Sequence, residues 1–337
     1  MRKAFAALLL LCLTGPMPWT AHERVAERGG QAIFARAVAL PIGPRGSALH
    51  PLEAWALTSP NSRFGGFSGL ALTGERRFLA VSDQGMEARF ALPARGGAAV
   101  GTRIGPLTGM QPQARKALSD AEAVVYDAVT GTYWTSFEGI SQIWRTDDRR
   151  GAVTARRRVA AMARWSANRG AEAMARLADG RFIILSEGAD ADTRGTEALL
   201  FPADPALAGS TPARFFYDDQ GKGQVTDAAT LPDGRLLLLH RRVDWIGFAR
   251  GRQAFVSTIA LADPADLRRD SVLRAVTIAV IGPDGLSDNF EGMVVGREQG
   301  ETIMWLISDD NFNSWQGNVL LKYRVDLARL PQAAYAP

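Results

Sequence analysis

"AEAMARLADGRFIILSEG", residues 171–188, places two apolar runs on either side of an Asp-Gly pair. Asp-Gly between apolar runs marks a β-hairpin, because glycine accepts the positive φ that a tight turn needs. The first run recurs along the chain. "FSGLAL" from Phe67, "AEAVVY" from Ala121, "TDAATL" from Thr226 and "FEGMVV" from Phe290 align with "AEAMAR" from Ala171. The second positions are Ser68, Glu122, Glu172, Asp227 and Glu291, which follow one another at nearly even spacing. A recurrence this regular is the mark of a repeat architecture.

A second apolar run follows each first one: "RFLAVSDQG", "TYWTSFEG", "RFIILSEG", "RLLLLHRR" and "IMWLISDDN". The step is identical for Ser68 to Ser82, Glu122 to Ser136 and Glu172 to Ser186, slightly shorter for Asp227 to His240 and longer for Glu291 to Ser308. Third strands are expected at "ISQIWRTD", "TEALLFPA", "QAFVSTIALAD" and "NVLLKYRVD", and outer strands at "RRRVAAMA", "ARFFYDD" and "AVTIAVIG". Three or four antiparallel strands per unit predict an all-β fold, a β-propeller of five or six blades. A β-sandwich would not require the same acidic position in unit after unit, and the coils of a parallel β-helix are much shorter. The stretch from Ala32 to Ser59 either closes the ring beside the last blade or builds a sixth blade.

The organisation expected is an export signal over residues 1–21, an extension over 22–49 that can supply a closing strand, a propeller over 50–327 and a tail over 328–337. "MRKAFAALLLLCLTG" has a basic start and an apolar run too short to span a membrane comfortably, so a periplasmic or secreted protein is expected, with no membrane span beyond the signal. The single cysteine, Cys12, lies in that run with leucines before it, against a lipoprotein site; its removal leaves no thiol chemistry. The composition, 47% hydrophobic and 22% charged, suits a packed core. The formal charge of +4 comes from scattered arginines and only four lysines (Lys3, Lys116, Lys222, Lys322), which argues against nucleic acid as a partner. A monomer is expected.

In a propeller the first strand of each blade lines the central channel, so Ser68, Glu122, Glu172, Asp227 and Glu291 are expected around the axis. The second-strand ends bring Asp83, Glu138, Glu187, Asp309 and Asp310 to one mouth, with His240, Arg241 and Arg242 breaking the pattern. Converging carboxylates must be protonated, paired, hydrogen-bonded or neutralised by a cation. Two readings follow. The acids are oxygen ligands for calcium, which could then bind phosphate or polarise an ester; or each accepts backbone N–H groups and fixes ring closure.

Other chemistry finds little support. Leu70 stands where G-x-S-x-G demands glycine, so Ser68 is not placed as a nucleophile. Asp190 and Asp192 fail the EF-hand pattern because Arg194 takes the third ligand place. The only histidines are His22, at the edge of the signal, His50 and His240; zinc lacks its usual ligands, and no nucleotide or redox cofactor motif occurs. Trp245, Phe248, Phe312 and Trp315 can supply apolar walls to a polar mouth. Asp288, Asn289 and the nearby "SDDNFN" are unmatched in the other units, which makes them the first place to look for a site.

The blocks "SGLAL…FLAVSDQG", "AEAVVYD", "RGAEAMARLADGRFIILSEG" and "SDNFEGMVV…WLISDDNFNSWQGNVLLKYRV" resemble the bacterial phytase-like family, described as having esterase-like activity of phytase. The resemblance spans roughly residues 50–327 and implies an exported propeller that hydrolyses phosphate or other esters. The related calcium-dependent propeller phytases bind calcium and substrate phosphate through acids around the channel. Here Arg169, Arg241 and Arg242 are the substitutes for a lysine lining. The expected site therefore takes Glu291, Asp309, Asp310, Arg241 and His240 as catalytic groups. Arg169, Arg242, Asn289, Asn311, Trp245 and Trp315 would contact a small-molecule ester, and Asp83, Glu122, Glu172, Glu187, Asp227 and Asp288 would hold calcium. The alternative is a non-catalytic propeller that binds a ligand or a protein.

Overall fold

The computed structural model describes residues 29–40, 48–111, 115–165, 170–188, 194–245, 255–282, 286–314 and 316–332. The export signal, Cys12, Arg169, Asp190, Asp192, Phe248 and Trp315 lie outside these residues.

Two strands, β1 (Phe34–Ala37) and β2 (Leu49–Thr58), precede the first blade. That blade is β3 (Phe67–Gly74), β4 (Arg77–Ser82), β5 (Met86–Ala91) and β7 (Val100–Pro106), with the short β6 (Gly97–Ala98) between the last two. The second is β8 (Ala121–Asp127), β9 (Thr132–Phe137), β10 (Gln142–Asp147) and β11 (Ala152–Arg158). The third is β12 (Ala171–Arg176), β13 (Phe182–Ser186), β14 (Thr196–Phe201) and β15 (Ala213–Asp218). The fourth is β16 (Gln224–Thr230), β17 (Leu236–Val243), β18 (Phe255–Ala262) and β19 (Val272–Ile281). The fifth is β20 (Phe290–Glu298), β21 (Glu301–Ser308) and β22 (Asn318–Val325), completed by β2, which pairs antiparallel with β22.

The described residues thus form a five-bladed β-propeller. The N-terminal stretch closes the ring instead of building a sixth blade, and β1 lies outside β2. Inner strands touch in the order β3, β8, β12, β16, β20 and back to β3. The outer strand of blade two is β11, upstream of the expected "RRRVAAMA".

Each blade has a neighbour on both faces, which explains the unbroken apolar second runs. Along β17, Leu236 and Leu238 pack toward blade three while Leu237 and Leu239 pack toward blade five. Trp305 and Phe78 meet edge to face between blades five and one. Outer strands have one wet face and alternate instead, as β11 does.

Every inner strand carries a β-bulge at the same level, which skips Ser68, Glu122, Glu172, Thr226 and Glu291 in the pairing with its second strand. A bulge leaves one residue unpaired and re-aims its side chain. The small residue that follows has a steric cause: a Cβ on Gly292 would lie 3.0 Å from the Leu70 backbone nitrogen of the next inner strand. In blade four the bulged residue is Thr226, so Asp227 stands one place deeper than its expected counterparts. Counting to His240 from Thr226 restores the step seen in the first three units.

Candidate functional site

The bulges and second-strand ends build two tiers at one mouth of the channel. The upper tier is Ser68, Glu122, Glu172, Thr226 and Glu291. Strand pairing makes Asp83, Glu138, Glu187, Arg241 and Asp309 equivalent in the other tier. Arg241 is therefore one cation in a ring of four acids. Its guanidinium donates to Glu291 and, at 2.7 Å, to Asn289 Oδ1, and it reaches Glu187 Oε1 at 3.2 Å. The fork joins blades three, four and five. Asn289 Nδ2 donates to Glu291 Oε1 at 2.9 Å and approaches Asp309 Oδ2 at 3.4 Å. Asn289 is fully buried. Arg241 is thus a strut whose donors face protein acids, not a free anion contact as expected.

Several predicted ligands are backbone clamps. Asp227 accepts from Ala228 N at 2.8 Å and from Met293 N, far along the chain, at 2.6 Å. Both its oxygens accept a backbone N–H, one from its own strand and one from blade five, so Asp227 ties blade four to blade five. Asp288 accepts from Asn289 N at 2.8 Å and Gly317 N at 3.2 Å, which holds the loop before β22. Asp310 accepts from Gly66 N at 3.0 Å, Phe312 N at 3.1 Å and Asn318 Nδ2 at 2.9 Å, joining blade five to blade one. These bonds make it a clamp between the two blades. Ser68 donates to Ala121 O and Ser136 to Ala171 O, doing the same work between other blades.

His240 is corrected as well. It is fully buried, its Nε2 lies 2.7 Å from the Tyr217 hydroxyl, and burial pushes its pKa down to about 4. Strand alternation turns it toward Tyr217 of blade three, on the opposite side of β17 from the Asn289 and Glu291 that Arg241 meets. Arg242, on the same alternation as His240, is exposed. Asn311 is exposed and bonds Gln316 at 3.3 Å, while Trp245 is 61% exposed. Asp309 accepts from Asn311 N at 2.7 Å, and burial with the nearby Glu291 pushes its pKa up.

The repeated acids are the ones left over. Oxygens of Asp120, Glu122 and Glu138 lie within 4.8 Å of one another. Glu122 is 8% exposed, and its carboxylate accepts no hydrogen bond from any described residue. Burial, then Glu172, Asp120 and Glu291, push its pKa well up, and burial with Glu187 and Glu138 does so for Glu172. Glu138 accepts from Gly170 N at 2.5 Å, and burial raises its pKa to about 7. A Cβ at position 170 would collide with Glu138 Cγ, so this approach requires glycine. Lys116, on the helical turn Lys116–Ser119, bonds Asp83 and reaches Asp120 Oδ1 at 3.2 Å.

Asp120 was not among the expected site residues. It stands two before Glu122, where the other units carry Gly66, Gly170, Gln224 and Asn289. An acid in only one unit was the signal. Glu138 was expected at this mouth but not as a ligand, and Lys116 carried no signal beyond the scarcity of lysine.

Next to Glu138 a cleft of about 180 Å³ is lined by Ser141, Arg158, Met162 and Trp165. Farther along the inner strands the channel holds a cavity of about 430 Å³, with Leu72, Val125, Ala175 and Met293 in its wall beside an ion pair of Asp127 and Arg176 at 3.0 Å.

Residues 62–312 match the family described as phytase-like, esterase-like activity of phytase. The chain belongs to that family. No functionally curated protein matches it. Among solved structures, the phytase-like chain is similar to the glutaminyl cyclase of Myxococcus xanthus, at 12% identity and a TM-score of 0.48 over 82% of this chain and 95% of that one. It is also similar to the major allergen Mala s 1 of Malassezia sympodialis, at 13% identity and a TM-score of 0.43 over 80% of this chain and 81% of that one.

Proposed function

We propose that this phytase-like propeller is an exported, monomeric hydrolase of phosphate or other esters, assisted by a divalent cation at the acidic mouth. The observation that carries the reading is the convergence of Asp120, Glu122 and Glu138, with the buried Glu122 carboxylate unpartnered among the described residues. Three hard carboxylate oxygens fit calcium, which fills its remaining places with water or substrate. When bound, the cation would supply Lewis-acid polarisation of an ester or phosphoryl oxygen. Glu172 stands in the same tier as Glu122, and the charge of a bound cation would offset its raised pKa and let it ionise and accept a proton from water. Arg241 pairs with Glu187 and Glu291 and fixes three blades in register. The cleft beside Glu138, with Met162 and Trp165 in its wall, receives the organic part of the substrate. Export is supported by the basic start and apolar run at the N-terminus.

The test is hydrolysis of p-nitrophenyl phosphate and short acyl esters with calcium or with chelator, in wild type and Glu122→Gln. Chelator should abolish turnover, and the substitution should lower it by about 100-fold, on the scale of losing one electrostatic stabiliser. Turnover untouched by both would remove the cation site. Non-catalytic ligand binding is the second reading, favoured by the exposed Trp245 at the end of β17; it gains if no ester is turned over.

A further inference from the structure

Lys116 lies against the proposed cation site without belonging to it. Its ammonium bonds Asp83 and lies 3.2 Å from Asp120, which is itself one of the three converging acids. The lysine side chain is 59% exposed, whereas those of Asp120 and Asp83 are 12% and 29% exposed. Asp83 Oδ1 is buried with no hydrogen-bond partner among the described residues. An exposed ammonium on a flexible stem leaves such a site at little cost, because a solvent-exposed ion pair contributes little. The acids cannot leave: Asp120 and Glu122 flank the start of β8, and Glu138 follows β9.

We propose that Lys116 is an internal counter-ion that competes with the divalent cation, and that cation binding expels it and frees Asp83 and Asp120 as ligands. This rests on the cation reading above. A divalent ion bound to Asp120 would stand within a few ångströms of the ammonium, where like charges repel strongly. The ion replaces one positive charge by two, so binding becomes an exchange in place of an addition. Lys116 would keep the acids from repelling one another until the cation arrives.

Calcium titration calorimetry on wild type and Lys116→Met tests this, since methionine keeps much of the apolar stem and loses the charge. Affinity should rise about tenfold in the variant, the scale of removing one competing charge near the surface. In wild type, competitive acylation read by mass spectrometry should show Lys116 becoming more reactive with calcium bound, with Lys222 as the internal control. Equal or weaker calcium binding by Lys116→Met, or a Lys116 reactivity indifferent to calcium, overturns the exchange while the cation site stands. Absence of calcium binding by both proteins overturns the site and the exchange together.

Discussion

Asp227 and Glu122 are acids on inner strands of the same ring, and their surroundings give them different work. Asp227 accepts two backbone N–H groups and ties blade four to blade five, while Glu122 accepts none from the described residues and faces other acids. Asp227→Ala should therefore lower stability by about 2–3 kcal/mol, the cost of stranding buried N–H donors. It should leave calcium affinity unchanged. Denaturant melts and calorimetry on the one variant check both halves; an unchanged melt would remove Asp227 from the closure. Sequence alone presented both as the acid before a small residue. The bond to Met293 joins two blades, and no local pattern can announce such a partner.

At the scale of the element, β2 shows how the ring is locked. Glu53 on β2 pairs with Arg76 at 2.8 Å and with Lys322 on β22 at 2.9 Å, while Lys322 also reaches Glu298 at 2.8 Å. Both cations lie over the Trp305 ring, at 5.5 and 5.2 Å. Removing Lys322 would leave Arg76, 2.8 Å from Glu53 and 3.5 Å from Glu298, as the one cation between the two carboxylates, so Lys322→Ala should cost about 2 kcal/mol, the scale of lost charge-assisted hydrogen bonds. Thermal melts would read the loss. Burial alone would raise the Glu53 pKa, but hydrogen bonds from Arg76 and Lys322 outweigh it and hold it at about 2. A depressed acid adds stability that is complete above its unfolded value near 4.5 and fades as pH falls toward 2. Glu53→Gln should accordingly flatten the acid limb of the stability curve between those values; parallel wild-type and variant limbs would exclude Glu53 as its source.

The whole molecule depends on joining its ends. β2 covers the edge of β22 and also contributes Trp55 and Leu57 to the layer between blades five and one. A chain starting after Thr58 should expose that edge and aggregate, since an unpaired strand edge is a template for other chains. Size-exclusion chromatography of the truncated protein decides this; a stable monomer with native calcium affinity would show that closure is dispensable.

From the sequence alone came the all-β class, the repeated hairpin, the inner strands and the mouth where acids gather. These follow from hydrophobic period and turn chemistry, which act over short stretches of chain. The choice between a closing strand and a sixth blade needed the pairing of β2 with β22, which brings together the two ends of the propeller. The place of Thr226 in the ring needed the bulge, and the division of acids into those that clamp two blades and those that face other acids needed their partners. Those decisions belong to tertiary structure because a carboxylate's role is set by which N–H groups, ammonium groups and other acids surround it, and in this ring most of them come from another blade.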